Sequence, residues 1–399
     1  MQLATEAQSL EDWIIEKRRY FHRHPELSFE EKDTTAYLSE ELKKMGLKPH
    51  TYSDYYGVWA DIVGEKEDSE AEGKAAPKTV MLRADIDALP IREETGLPYA
   101  SEKQNVMHAC GHDNHMAMLL GAAKLLVSHK EEFRGTVRLL FQAAEESCHG
   151  AEYYVKAGLL DDVDAIYGCH VWATLDAPKI NVVAGPRMSS CDNFTIEVKG
   201  VPAHGSAPNY GIDAIVTAAA IIMQLQTIVS RKNDPRDNLA ITIGEIEGGP
   251  RFNIISDHVV MKGTVRTHSR QVREQVEAWI RNIVENVARA NGAEATLTYE
   301  YFPGVLYNDE KLAQIAQNAV KELYGEEGLG EHPLIMGSED FSYFLEKVPG
   351  VYALVGIRSE EKGIIYQNHH SKFNVEETVL KRGAALYAQF AIDYLKERN

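Results

Sequence analysis

Cysteine is scarce in this chain: four residues, Cys110, Cys148, Cys169 and Cys191, among 399. In a chain of this size that usage argues against a disulfide framework and predicts reduced thiols in a reducing compartment. Basic charge is also short. Lys and Arg number 42 against 60 Asp and Glu, a formal net charge of −18, which argues against non-specific binding to nucleic acid or to anionic membranes. No stretch approaches the ~18–20 consecutive apolar residues of a membrane span. The opening residues MQLATEAQSLEDWIIEKRRY contain neither an apolar core nor an early basic cluster. No signal peptide is therefore expected, and the cytoplasm is the expected compartment. No repeat of fixed period is visible.

What is present is an ordinary globular composition, 44% hydrophobic and 26% charged, in a chain long enough to favour two domains. Ser9 with Asp12 reads as a helix start, followed by Trp13, Ile14, Lys17, Tyr20 and Phe21 at helical spacing. Ser28-Phe29-Glu30-Glu31 is a second capping-box pattern, and its helix should end at Gly46. Gly64 to Lys78 is polar and alanine-rich and reads as a loop. Strands at Trp59–Val63, Thr79–Asp85, Thr136–Gln142 and Ala165–Val171 alternate with helices at Asn114–His129 and Gly150–Ala157, which implies a largely parallel sheet covered on both faces. The pattern then changes. Strands at Asn193–Lys199, Leu239–Glu245, Val259–Thr267 and Ala295–Tyr301, with helices at Gly211–Arg231 and Arg270–Ala290, give the β-α-β-β-α-β order of a ferredoxin-like unit. Helix, strand and a last helix from Val375 to Lys396 follow. The expected architecture is a mixed, mostly parallel α/β domain made of residues 1–187 and 300–399, interrupted by an α+β insertion at residues 188–299.

Sites in open α/β sheets form outside the C-terminal ends of strands, and these ends carry ligand-type residues. Asp85-Ile86-Asp87 closes one strand, Glu145-Glu146 follows another, and His170 lies at the end of a third. His108-x-Cys110-x-His112-Asp113-x-x-His115 precedes a helix, and His369-His370 precedes the last one. A thiolate and an imidazole are good ligands for zinc-like ions, and Gly111 permits a turn that aims Cys110 and His112 at one point. Adjacent strand residues point to opposite faces. Just past a strand end, however, the backbone can turn both glutamates inward, one to bind metal and the other to take a proton from water. Either Asp87 or Asp85 could orient a histidine ligand. The bland alternatives are a small core thiol at Cys110, a helix-capping His112, solvated glutamates at a helix start and a packed core histidine at 170. Within the insertion, Gly200 to Ser206 presents His204 on a turn-rich segment. Arg251 and Asn253 follow Gly248-Gly249-Pro250 and are suited to gripping a carboxylate and a carbonyl oxygen.

These motifs resemble the M20 metallopeptidases, in the amidohydrolase branch that includes N-acyl-amino-acid deacylases, hippurate hydrolases and auxin-conjugate hydrolases. The similarity runs nearly end to end: Arg18-Arg19-Tyr20-Phe21-His22-Arg23-His24-Pro25-Glu26-Leu27-Ser28, Arg83-Ala84-Asp85-Ile86-Asp87-Ala88-Leu89-Pro90, His108-Ala109-Cys110-Gly111-His112-Asp113, Gln142-Ala143-Ala144-Glu145-Glu146, Gly168-Cys169-His170-Val171-Trp172, Gly337-Ser338-Glu339-Asp340-Phe341 and His369-His370-Ser371-Lys372-Phe373. The resemblance implies two divalent ions, zinc or manganese first and cobalt or nickel next, held by Cys110, His112, Glu146, His170 and His369, with Cys110 bridging. It implies Glu145 as general base, Asp87 as its supporting carboxylate, and Asn253 as a substrate contact. The insertion would be a lid that also makes a homodimer and sends His204 to a neighbouring subunit's site. Two departures stand out: Ser147-Cys148-His149 where relatives often carry glycines, and Ser371 in place of a common proline. The spacing to Phe373 favours His369 over His370. The implied reaction is hydrolysis of a small N-acyl amino acid. A dipeptidase or aminopeptidase of the same fold is the rival enzyme, and a non-catalytic metal-dependent binding protein is the rival from another class.

Overall fold

The computed structural model describes residues 2–66 and 76–398; most of the expected Gly64–Lys78 loop, residues 67–75, lies outside them. The chain divides into two compact units. One is built from Met1–Gly185, Tyr307–Pro333 and Asp340–Asn399, the other from Pro186–Leu306 and Leu334–Glu339.

The first unit is an α/β structure around a seven-stranded sheet. Its strands lie in the order His50–Thr51, Val58–Val63, Thr136–Gln142, Thr79–Asp85, Ala165–Asp176, Gly350–Arg358, Ile180–Asn181. The four central strands run parallel, and the flanking ones join antiparallel. Central parallel strands are buried on both faces, so they read as apolar runs rather than alternating ones. Val80, Met81 and Leu82, and Leu139, Leu140 and Phe141, are all fully buried. The His112–Ser128 helix is apolar around its whole circumference, with Met116, Ala117, Met118, Leu119 and Leu120 all buried, as a core helix must be.

Both expected capping boxes fail, for different reasons. A helix at Gln2–Ser9, which the sequence pattern did not suggest, precedes the helix Glu11–Arg23. The Ser9 hydroxyl donates back to the Glu6 carbonyl (2.6 Å), closing the first helix instead of opening the second. Ser28 donates its hydroxyl to Asp87 Oδ2 (2.6 Å), and Glu31 occupies the N-cap position of the helix Lys32–Lys44. A hydroxyl donating to a carboxylate makes a charge-assisted bond, shorter and stronger than a neutral one. The strand ending at Val171 by its apolar run continues to Asp176, because it stays paired with Gly350–Arg358.

The second unit is a four-stranded antiparallel sheet in the order Leu239–Gly248, His258–Thr267, Asp192–Lys199, Glu294–Tyr301. This is the strand order of a ferredoxin-like βαββαβ unit. The helices Ala214–Thr227 and Arg270–Ala290 are capped by the side chains of Asp213 and Ser269. They bury Ala218, Ile221 and Leu225, and Val276, Ile280 and Val284, against Phe194, Ile196, Val198 and Met261. The first helix runs on through a π turn at Ile228–Lys232. The stretch Ala214–Lys232 is long and apolar enough to cross a membrane, with a mean hydropathy of 1.4; a search for uninterrupted apolar runs does not register it.

The N-terminal helix is held to the rest of its unit by an ion pair network. His129, just past the C-terminus of His112–Ser128, contacts Glu6 Oε2 through Nε2 (2.5 Å) and Glu132 Oε1 through Nδ1 (2.6 Å). Burial opposes the charge on His129, but the two carboxylates outweigh it and raise its pKa above the ordinary 6.5. A raised histidine pKa stabilises the fold fully below the unfolded value, and that stabilisation is lost as pH rises through the folded one. His129→Gln is therefore expected to lower Tm by about 2 °C at pH 6, with the gap closing by pH 9. Thermal melts at the two pH values check this; a gap that persists at pH 9 would remove the ionic account.

Candidate metal centre

The C-terminal ends of the parallel strands gather the candidate residues, all within the first unit. Thr79–Asp85 delivers Asp85 and, just beyond it, Asp87. Thr136–Gln142 leads into a 3₁₀ turn at Glu145–Ser147. Ala165–Asp176 carries His170. The turn before His112–Ser128 brings Cys110 and His112 beside them. It depends on Gly111, whose φ of +105° lies in the left-handed region. A Cβ there would sit 2.4 Å from Val171 Cγ2, so both backbone conformation and space require glycine.

Two donor groups share one atom. Cys110, His112 and His170 form one set, and Cys110, Glu146 and His369 another, each with its ligand atoms within 4.8 Å of one another. Cys110 Sγ lies 3.3 Å from His170 Nε2 and 3.2 Å from His369 Nε2, and His369 Nε2 is 3.5 Å from Glu146 Oε1. The remaining ring nitrogens fix the tautomers. His170 Nδ1–H donates to the Val171 carbonyl (2.6 Å), and His112 Nδ1–H donates to Asp87 Oδ1 (3.2 Å). Each turns Nε2 toward the donor groups, the orientation that a metal-binding histidine needs. His112 Nε2 and Glu146 Oε1 are buried without a hydrogen-bonding partner among the described residues, which is the state of atoms that await a cation.

The electrostatics agree. Burial opposes charge on His112, yet Asp85, Asp87 and Glu146 outweigh it and push its pKa up to about 10. Burial, with Glu146 and Glu145 nearby, pushes the Cys110 thiol well up. The pocket thus favours added positive charge and resists added negative charge, and a divalent ion reverses the thiol's preference.

The structure separates the residues that the sequence left equivalent. Asp87 pairs with His112, whereas Asp85 takes the Nδ1–H of His115 (2.5 Å). His115 Nε2 in turn accepts from the Val171 N–H (2.9 Å), so both its nitrogens are engaged away from the donor groups. His108 is buried, with neither nitrogen hydrogen-bonded among the described residues, and burial pushes its pKa down to about 3. His369 faces Cys110, while His370 stacks on Tyr366 and accepts the Lys372 N–H. Asp113 lies with Arg18 Nε (2.8 Å) and His22 Nδ1 (2.7 Å), all three fully buried. Cys148 adopts a φ of +61°, a conformation that glycine takes freely and that costs another residue about 1–2 kcal/mol. That is the physical content of its departure from the glycines expected there.

Residue-by-residue reading missed several supports. Asn368 Nδ2 donates to the Cys110 carbonyl (2.9 Å) and the Val171 carbonyl (3.3 Å), and its Oδ1 accepts from the Ala173 N–H (3.2 Å). It staples the segment carrying His369 to those carrying Cys110 and His170. Arg83, 1% exposed, donates to Asp85 (2.7 Å), Asp340 (2.9 Å) and Gln142 (2.7 Å), and the Asp340 N–H approaches Glu145 Oε1 (3.4 Å). Arg83 and Asp340 sit in quoted motifs; only the three-dimensional pairing gives them a role.

In the second unit, His204 lies on a two-stranded ribbon, Ala203–His204 with Ile254–Ile255. Its Nδ1 accepts from the Ser206 N–H (3.1 Å) and hydroxyl (2.7 Å), which leaves Nε2–H as an outward donor. Asn253 adjoins it through the bond from the Gly205 N–H to the Asn253 carbonyl (2.9 Å). Arg251 lies over the ring of Phe252, which is 93% exposed.

Comparison with known proteins fits this geometry. Residues 81–393 match the family described as Peptidase family M20/M25/M40, and the chain belongs to that family. N-acetyl-L-cysteine deacetylase of Bacillus subtilis (strain 168) is 40% identical over 380 residues, covering 95% of this chain and 88% of the relative. IAA-amino acid hydrolase ILR1-like 4 of Arabidopsis thaliana is 37% identical over 391 residues, covering 97% and 86%. The crystal structure of the Bacillus subtilis YXEP protein, described as a dinuclear metal binding peptidase from the M20 family, aligns with a TM-score of 0.84 at 33% identity, covering 98% and 99%. This protein is a metal-dependent amidohydrolase of that family.

The Arg18–Asp113 pair anchors the start of the helix that carries His112. Removing one partner of a buried ion pair strands the other. Arg18→Met is expected to cost about 3–5 kcal/mol in urea unfolding. A loss below about 1 kcal/mol would show the pair to be worth no more than an exposed one.

Proposed function

We propose that Cys110, His112, Glu146, His170 and His369 hold two divalent ions, with Cys110 common to both, and that the enzyme hydrolyses the amide bond of N-acyl amino acids. The observation that carries this reading is the pair of donor groups meeting at Cys110 Sγ, with a carboxylate to spare beside them. That carboxylate is Glu145, whose Oε2 lies 3.9 Å from His112 Nε2. When bound, such ions supply a nucleophile at neutral pH and Lewis-acid polarisation of the amide carbonyl. Zinc and manganese suit the mixed thiolate, imidazole and carboxylate set, with cobalt and nickel next. The protein's own groups do the rest. Glu145 takes the proton of the attacking water and returns it to the leaving nitrogen. Asp87 holds His112 in the tautomer that keeps Nε2 free. The deacetylase and IAA-amino acid hydrolase relatives are named for substrates in which an acyl group is joined to an amino acid, and this supports the substrate class.

The second unit acts as a lid and as the contact between two copies. Among the described residues its edge strand Leu239–Gly248 is paired on one side only, and the neighbouring helix exposes Ile215, Val216 and Met223. An unpaired strand beside an apolar helix face suits a second copy. In that dimer, His204 of the partner subunit donates Nε2–H to the developing oxyanion, while Asn253 and Arg251 hold the substrate's carbonyl and carboxylate.

Glu145→Gln keeps size and hydrogen bonding but cannot take a proton. With metal content unchanged, kcat is expected to fall by about 10²–10⁴-fold; retained turnover would remove Glu145 from the base role. Across a panel of N-acetyl, N-benzoyl and N-indoleacetyl amino acids and free dipeptides, the acylated compounds are expected to lead in kcat/KM by at least about tenfold. The reverse order would make the enzyme a dipeptidase, and no turnover of any amide by the metal-loaded protein would make it a binder.

A further inference from the structure

The motif Ser28-Phe29-Glu30-Glu31 ends on an acid, Glu31, that the mechanism does not use. Glu31 is fully buried, and its Oε1 accepts the Ala144 N–H at 2.7 Å, across 113 residues of sequence. Its Oε2 meets no hydrogen-bonding partner among the described residues. Ala144 is the residue before Glu145, and its φ of 60° and ψ of 38° place it in the left-handed region, which an alanine disfavours by a factor on the order of 10. This conformation does specific work. Consecutive residues of an extended strand point to opposite faces, so Glu145 and Glu146 can approach one centre only if the chain kinks ahead of them.

The kink is held from several sides. The Ala143 N–H donates to Tyr154 Oη (3.0 Å), which donates to the Tyr56 carbonyl (2.8 Å). The Glu146 N–H donates to Asp87 Oδ2 (3.0 Å), and the Ser147 hydroxyl to the Ala144 carbonyl (2.7 Å). Among these bonds, the one from Glu31 takes hold of the N–H of the left-handed residue itself.

We propose that Glu31 is a positioning residue for the two glutamates: its buried carboxyl grips the Ala144 N–H and so maintains the left-handed turn that brings Glu145 and Glu146 to the same centre. This rests on the metal site and base assigned above. Glu31 does so as a neutral acid. Burial, with Asp87 next, pushes its pKa up to about 8, and no cation contacts it among the described residues. Glutamine is therefore its near isostere, keeping the acceptor oxygen.

Four variants test this: Glu31→Gln, Glu31→Leu, Ala144→Gly and the double variant Glu31→Leu/Ala144→Gly. Each is read by kcat and KM on an N-acyl amino acid and by the visible absorption of the cobalt(II)-loaded protein, which reports the ligand geometry that Glu146 shares. Glu31→Gln is expected within about twofold of the parent in kcat, with the parent spectrum. Glu31→Leu is expected to lose about 10- to 100-fold in kcat with KM unchanged and the spectrum altered. Adding Ala144→Gly should restore at least about tenfold and the parent spectrum, because glycine adopts positive φ without being held; a general loss of structure would not be rescued this way. Parent behaviour in Glu31→Leu, a Gln variant as impaired as the Leu variant, or no rescue by glycine overturns the proposal. If Glu31→Leu does not fold, Glu31→Gln decides: parent activity and spectrum support the neutral acceptor, and a loss beyond about tenfold overturns it. If the parent turns over no N-acyl amino acid, the cobalt spectra still decide the role of Glu31, so failure of the functional reading is distinguishable from failure of this one.

Discussion

Buried negative charge is the constraint on which this structure turns. Asp85, Asp87, Asp113, Asp340 and Glu145 all lie inside the first unit, and a carboxylate out of water without a partner is costly enough to unfold a domain. Each acid has its own answer. Arg83 serves Asp85 and Asp340, Arg18 serves Asp113, and the His112 ring serves Asp87. Burial, with Asp87 next, pushes the Glu31 pKa up to about 8, toward the neutral acid. Glu145 and Glu146 face only histidine rings, His112 and, for Glu146, His369, and they lie beside Cys110, in the group proposed above to hold divalent ions. The arginines buried in the core are the counterweight that lets these acids stay there.

The same constraint explains which residues could be read in advance. The apolar runs of the central strands and the helix-period stretches announce themselves, because burial on both faces or on one stripe leaves a direct mark in sequence. Cys110, Gly111 and His112 were legible as a unit because three chemically unusual residues in one turn have few other uses. Asp85 and Asp87 were not distinguishable, since the difference between them is which histidine each faces, and that depends on the pleat of Thr79–Asp85 and the rotation of His112–Ser128. Ser9 and Ser28 misled for a related reason. Capping is a local pattern, and in the folded chain each hydroxyl is engaged elsewhere, Ser28 by donating to a carboxylate far along the chain. Asn368 carried no signal at all: an asparagine before two histidines looks like loop polarity until its three bonds are seen.

Backbone conformation recurs as the tool that aims these side chains. Gly111, Ala144 and His369 all have positive φ, and each stands at a junction where the chain must leave a regular element and present a donor or a carboxylate to one point. Only the first is a glycine. The other two hold a conformation that their own side chains disfavour, which means that surrounding contacts, the Glu31 carboxyl for Ala144 and the bond from the His369 N–H to the Ala109 carbonyl (2.8 Å), maintain it. Local strain at a site is tolerated where the scaffold over-determines it.

The first unit is discontinuous: its last pieces, Tyr307–Pro333 and Asp340–Asn399, follow Pro186–Leu306, the larger part of the second. Synthesis is vectorial, and N-terminal parts can fold first. A growing chain therefore owns Cys110, His112, Glu146 and His170 long before it owns His369, the Asn368 staple, or the strand Gly350–Arg358 that pairs beside His170. During that interval the chain carries four of the five proposed ligands and lacks the fifth. The proposed ligand set is thus completed only by the C-terminal part of the chain, the last to leave the ribosome.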